Sequence, residues 1–396
     1  MCMTAAILFA LLCIASGQNI ASKAPPVVTR VRAVAIISRE SDRTPEYTFP
    51  TDPHSMDDRR ELPDGEARLI AKGQERITMF ADLIRQRYDF MFTNNPSEVV
   101  VRSSGAQQCI DTATRLPWSI TRIPNLDLTV DDKMLRDPPP ECPMLRLTTQ
   151  LLFESKEAEA YQKAYGNVLN EVSKRTGEKV KTMEDAYEIE DTLRVEEEDD
   201  ESLPDWATPE LMSILSNISK AYSCASSASE NAQRMQLGLF LTDLRDQLTN
   251  ISAGRSSQRL LVYTTHDTKI AMLRRRLNAY DKETPAPYLG AIVFELHQDV
   301  NTLQSFVKSY YIFLNNQMKP IETPAMPDSC VGADLCPTAE YFANLEPFLV
   351  QDLDDLCHNQ AILTADTLDN FDNCFEGAPK SKSTLGRLFS AINPFG

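Results

Sequence analysis

The sequence predicts an α/β fold: a doubly wound, mostly parallel sheet flanked by helices, with a mostly α-helical cap inserted into it. Three observations carry this prediction. First, Val31–Ser38, Glu98–Arg102 and Arg259–Thr265 are short runs rich in apolar and β-branched residues, as expected of strands buried on both faces of a parallel sheet. Second, each run stops at charged side chains, namely Arg39, Arg102 and the pair His266-Asp267. The carboxyl ends of strands are where open α/β sheets place their ligands. Third, Met144 to Leu248 has few β-branched clusters and much Ala, Glu, Leu, Lys and Gln, a helical composition.

Taken in order, Met1 to Gly17 is an apolar stretch too short to span a bilayer and followed by small residues. It reads as a secretory signal peptide over 1–17, the alternative being a buried N-terminal helix. The first part of the α/β core is placed at 26–137. Its opening strand, Val31–Ser38, leads into a loop from Arg39 to Pro53 that carries Pro45, Pro50 and Pro53. Arg68 to Tyr88 has Leu69, Ile70, Ile77, Phe80, Ala81, Ile84 and Tyr88 near helical spacing, which predicts an amphipathic helix. The strand Glu98–Arg102 and a helix over Gln107–Leu116 follow. Pro117 to Pro143 is proline-rich, and Pro138 to Pro140 marks a boundary.

The helical cap is placed at 138–248. It contains the acidic run Glu196–Glu201, read as a solvated loop or, alternatively, as a rim that selects against highly anionic ligands. The second part of the core, 249–323, holds the strand Arg259–Thr265, a helix over Thr268–Leu277, and strands over Ala291–Leu296 and Phe306–Phe313. The remainder, 324–396, is cysteine-bearing and reads as a disulfide-stapled tail. No internal repeat of solenoid period is present.

At 396 residues with 42% hydrophobic content, the chain can bury a sizeable core. Its net charge of -17 argues against nucleic acid as a partner. No later segment is apolar and long enough for a membrane helix, so no membrane anchor is expected and the chain reads as secreted. Of nine cysteines, Cys2 and Cys13 leave with the signal peptide. The others are expected to form disulfides in an exported chain, with one left over. Their spacing shows no pair of Cys-x-x-Cys units, so no metal site is expected. Asn217-Ile-Ser and Asn250-Ile-Ser are glycosylation acceptors.

Three strand ends thus deliver Arg39 with Arg43, Arg102, and His266 with Asp267. Arginine offers planar, multiple donors suited to phosphate. Phosphoryl transfer also needs a nucleophile and an acid for the leaving oxygen. His54, His297 and His358 read as rim, core or edge residues without a chemical role.

Arg39-Glu40-Ser41-Asp42-Arg43-Thr44-Pro45 resembles the Arg-His-Gly-x-Arg-x-Pro loop of the histidine acid phosphatases, with Glu40 in place of the histidine and Ser41 in place of the glycine. Further similarity runs in order through Thr48–Pro53, Leu69–Gly73, Val100–Ser104, Leu203–Trp206 and Tyr263–Thr268. The nearest relatives resemble animal secreted or lysosomal acid phosphatases. The resemblance implies that Arg39, Arg43 and Arg102 bind phosphate, that His266 donates a hydrogen bond to it, and that Asp267 protonates the leaving alcohol. Glu40 then stands at the nucleophile position. A carboxylate there is negative and competes with phosphate for the arginines. Sites that form an acyl phosphate generally add a metal, which nothing in the sequence supplies.

The resemblance also implies pairing of Cys142 with Cys357 and Cys330 with Cys336, leaving Cys109, Cys224 and Cys374 unassigned. Ser104-Gly105 and Cys109 depart from the family pattern. No cofactor is implied. A homodimer is common among relatives, and a lysosomal lumen is the alternative to secretion. Three functions remain open: a pseudophosphatase holding phosphate or a phosphomonoester-like anion, an active acid phosphatase, and a structural or decoy protein with a self-filled cleft.

Overall fold

The computed structural model describes residues 28–54, 67–281, 285–364 and 371–376. The expected signal peptide at 1–17 lies outside these residues, as does the chain beyond 376. Strand β1 is Thr29–Arg39, and its last seven residues are buried, as a continuous apolar run requires. Helix α1 (Ala71–Tyr88), strand β2 (Val99–Ser103) and helix α2 (Gln107–Thr121) follow. Strand β3 (Leu128–Val130) and the short helix α3 (Asp132–Leu135) lie within the proline-rich segment, where the sequence signalled only a boundary.

Helices α4 (Pro143–Phe153), α5 (Lys156–Ala164), α6 (Gly166–Thr176), α7 (Met183–Glu198), α8 (Pro209–Ser226) and α9 (Glu230–Ser252) form the helical stretch. The chain returns to the sheet with β4 (Leu260–Thr265), α10 (Asp267–Arg276), β5 (Ala291–Asp299), β6 (Ser305–Leu314) and β7 (Pro320–Pro324). Strand β8 (Cys336–Pro337) and helices α11 (Thr338–Leu345) and α12 (Leu353–His358) complete the named elements.

The sheet runs in the order β3-β2-β4-β1-β5-β6-β7, with β8 paired on β6. It is mixed rather than mostly parallel. The β3-β2-β4-β1 half is parallel. Strand β5 lies antiparallel to β1, and β6 returns antiparallel to β5 through a short connection. Two strands joined by so short a loop can only pair antiparallel.

Two apolar clusters cover the two faces of the sheet. A third, formed by Ala158, Tyr161, Val168, Leu193, Leu215 and their neighbours, is the cap's own core. Helix α9, read from sequence as part of the cap, instead belongs to the core. Its Phe240 packs edge-on against Tyr263 of β4 at 5.1 Å and touches Phe294 of β5. The acidic run is also not a free loop: Glu196 is fully buried and Glu196 to Glu198 form the last turn of α7.

Cys142 pairs with Cys357 and Cys330 with Cys336, as the resemblance implied. Cys224 pairs with Cys374, tying cap helix α8 to the C-terminal segment, and Cys109 is a buried free thiol. The C-terminal segment is more than a stapled tail, because Tyr341, Phe348 and Leu353 enter the main core. Among the described residues no helix is long and apolar enough to cross a membrane. Asn217 is exposed on α8, and Asn250 on the last turn of α9 accepts from Arg255 Nε at 2.9 Å.

Candidate active site

Parallel pairing builds the site. Arg39 at the end of β1 sits opposite Thr265 at the end of β4, so Glu40 and His266 leave neighbouring strands side by side. The Ser104 amide donates to Thr264 O at 3.0 Å, which brings the start of α2 to the same edge. The Ser104 hydroxyl lies 3.0 Å from His266 Nε2.

The loop after β1 is held rigidly from behind. Asp42 accepts two bonds from Arg76 of α1, Nε at 2.5 Å and Nη2 at 2.9 Å, and both side chains are buried. Arg76 Nη1 also donates to Leu314 O at 2.7 Å. A Cβ on Gly73 would lie 2.3 Å from Asp42 O, so only glycine lets α1 approach this closely. The Asp42→Ala variant leaves the Arg76 guanidinium buried without its counter-ion. It is expected to cost about 3–5 kcal/mol in urea unfolding; a loss under about 1 kcal/mol would show that the pair contributes no more than a surface one.

The arginines face a carboxylate supplied by the loop itself. Arg39 Nη2 donates to Glu40 Oε1 at 2.7 Å, and Arg43 Nε lies 3.5 Å from the same oxygen. Glu40 is only 2% exposed, and its Oε2 has no hydrogen-bond partner among the described residues. Burial alone would raise the Glu40 carboxyl, but Arg39 and Arg43 outweigh it and hold the carboxyl down at about 2. Arg39 Nη1 donates to Ala286 O at 2.8 Å and lies 4.0 Å from Asp267 Oδ2.

Cap helix α7 closes over this edge with one polar face. Asp191 accepts from Arg43 Nη2 at 3.0 Å and also pairs with Arg194. Burial would raise Asp191, yet Arg43 and Arg194 hold it at about 2. The Tyr187 hydroxyl donates to Asp267 Oδ2 at 2.9 Å. Tyr288 stacks on the cluster, its ring centroid 4.5 Å from the Arg39 guanidinium carbon, and burial pushes its hydroxyl up to about 12. Arg39, Tyr187, Arg194, Asp267 and Tyr288 line a cavity of about 220 Å³, smaller than a typical drug-sized site of about 300–1,000 Å³. A larger cavity of about 680 Å³ is lined by Pro138–Pro140, Phe153 and Tyr222 and includes none of Arg39, Glu40 or Asp267, so it is not the place where the cations meet.

Arg39, Arg43, Glu40, His266 and Asp267 are therefore brought together, but Arg102 is not. Its guanidinium pairs with Asp243 of α9 at 2.9 Å, and the Tyr263 hydroxyl joins the same carboxylate at 2.7 Å. Parallel register sets Arg102 level with Tyr263 and Ile37, on the same face as Arg39 but short of the row of Arg39 and Thr265 at the sheet's carboxyl edge, so its side chain lies over α9 instead of the cleft. Sequence reading missed Tyr187, Asp191 and Arg194, whose spacing places them on one helix face, and Tyr288. It also missed that Cys109, in the first turn of α2, lies beside Glu40 and His266: one donor atom from each lies within 4.8 Å of the others. His54 Nε2 is 3.0 Å from Ser202 O, His297 is bonded to Thr29 and Glu295, and His358 Nδ1 is 2.7 Å from Asp354 O. All three histidines are thus engaged away from the cluster.

This geometry, two buried arginines with a His-Asp pair at the carboxyl edge of a capped α/β sheet, defines a histidine-phosphatase architecture. The family model of the histidine phosphatase superfamily, branch 2, matches residues 125–312 of the chain. It is 27% identical to human lysosomal acid phosphatase over 376 residues, covering 88% of this chain and 85% of the relative. It is 28% identical to mouse testicular acid phosphatase over 287 residues, or 66% of each chain. Among solved structures it shares its fold with the phytase of Klebsiella sp ASR1, with a TM-score of 0.60, 15% identity, and coverage of 83% of this chain and 96% of that one. The chain is thus similar to animal acid phosphatases and to the histidine phosphatase family model.

Proposed function

We propose that this protein is an exported pseudophosphatase, a phosphatase scaffold that holds a small anion such as phosphate or a phosphomonoester and turns it over little or not at all. The observation that carries this reading is the 2.7 Å contact of Glu40 with Arg39 and its 3.5 Å approach to Arg43. A carboxylate there lowers the affinity of the arginines for a second anion and is itself repelled by an incoming phosphoryl group. His266 and Asp267 remain at the edge of the same cleft, which supports reading Asp267 as the leaving-group acid of the scaffold. Similarity to lysosomal acid phosphatases supports export to the lysosomal lumen or the extracellular space.

Calorimetric titration of orthophosphate, run beside aryl phosphate hydrolysis at pH 5, tests this. The parent is expected to bind weakly and to show negligible turnover. Glu40→Gln is expected to bind phosphate at least about tenfold more tightly and to remain inactive. Hydrolysis by the parent that disappears in Glu40→Gln would reverse the reading and make Glu40 the nucleophile.

A further inference from the structure

We propose that Glu40, Cys109 and His266 form a binding site for a divalent transition-metal ion, zinc being the ion that their donor set fits best. Three separate elements supply them: the loop after β1, the first turn of α2 and the residue that precedes α10. Glu40 and Cys109 are also two of the places where the sequence departs from the histidine acid phosphatase pattern, and both converge on one point beside His266.

Carboxylate, thiolate and imidazole are each zinc ligands, and a mixed set of this kind suits zinc better than magnesium or calcium, which take oxygen. The candidate donor atoms lie within 4.8 Å of one another. Zinc bonded to nitrogen and oxygen at about 2.0–2.2 Å and to sulfur at about 2.3 Å sets tetrahedral donor separations near 3.5 Å. The three groups therefore need to close by about an ångström, within the reach of side-chain rotation.

A second observation points to a ligand. Glu40 Oε1 is engaged by Arg39 and Arg43, but buried Oε2 has no hydrogen-bond partner among the described residues. An unpartnered carboxylate oxygen in the interior is costly, and a metal ion would satisfy it. The two arginines do not leave the site strongly positive, because they are shared with other carboxylates. Asp267 lies 4.0 Å from Arg39, and Asp191 and Glu46 lie 3.0 and 3.3 Å from Arg43. Binding converts the Cys109 thiol to a thiolate, its proton passing to solvent. Three protein ligands leave a fourth position for water or an anion.

Zinc capture needs neither phosphate binding nor turnover, so it is tested apart from them. Calorimetry with zinc on the chelator-stripped protein is expected to give one ion per chain. Removing a direct ligand costs at least as much as removing an outer partner, so Cys109→Ser and Glu40→Gln should each weaken binding by about 100-fold or more. Cobalt in place of zinc is expected to give a thiolate-to-metal charge-transfer band in the parent that is absent from Cys109→Ser. Circular dichroism of each metal-free variant establishes that it is folded, and either variant alone suffices if the other is not. Undiminished zinc binding by folded Cys109→Ser, cobalt bound without a thiolate band, or a folded parent that takes up no zinc would each overturn the assignment.

Discussion

Glu40→His is expected to raise aryl phosphate hydrolysis at pH 5 by at least about 100-fold over the parent, the scale on which one positioned reactive group acts. The reason is local charge. Glu40 leaves β1 beside His266 and is bonded to Arg39, so an imidazole in its place reaches the same point without a negative charge. Arg39 and Arg43 then lose the nearest of their anions and gain capacity to hold phosphate oxygens, while Asp267, Asp191 and Glu46 still face them. Asp267, fixed by the Tyr187 hydroxyl at 2.9 Å, is the proposed acid for the leaving alcohol. The gain has a ceiling, since Arg102 remains paired with Asp243 and supplies no third arginine. The assay is run with a chelator so that metal plays no part. A variant that folds and binds phosphate yet remains at the parent rate would show that more than the nucleophile separates this site from a working one.

Acidification supplies the second large effect. The folded-state carboxyls of Glu40 and Asp191 are both held at about 2, below the values near 4.5 and 3.8 that they take when exposed. A depressed folded value contributes stability that is complete above the unfolded value and is lost as pH falls through the folded one. Stability is therefore expected to hold from neutral pH to about 5 and to fall steeply between about 4.5 and 2, by roughly 3 kcal/mol for Glu40 alone. Glu40→Gln should be less stable at neutral pH, with two buried arginines short of an anion, and should show a shallower acid transition. Urea unfolding at several pH values measures both. A functional consequence follows: at lysosomal acidity Glu40 stays ionised, so acid does not clear the arginines. If the parent and Glu40→Gln lost stability in parallel on acidification, the ion pairs would not be the source of the transition.

The strands around the site were legible because they are buried on both faces and so read as unbroken apolar runs. Val31–Ser38 and Arg259–Thr265 match β1 and β4 to within two residues at either end. Helix α1 was legible from its apolar stripe, which meets the sheet through Ile77, Phe80 and Ile84. The assignment of α9 to the cap failed for a related reason: an apolar stripe says that a helix is buried, not which core it faces. Arg102 was misplaced because the sequence does not give the register between strands: Arg102 pairs level with Tyr263 and Ile37, short of the row of Arg39 and Thr265, and meets α9 instead of the cleft. The acidic run looked solvated because charge density alone does not reveal that Glu196 turns inward at the end of α7.

The sequence by itself determined the α/β class, the helical insertion, the family resemblance, and the loop and strand ends that carry Arg39, Glu40, Arg43, His266 and Asp267, because these depend on local pattern. Only the tertiary structure decided what those residues face. Asp191 and Tyr187 come from a cap helix more than a hundred residues away from β1, and Cys109 reaches Glu40 and His266 through parallel strand pairing. Contacts between distant segments are set by how whole elements pack, and the charge balance of a buried site is a property of that packing, not of any short stretch of chain.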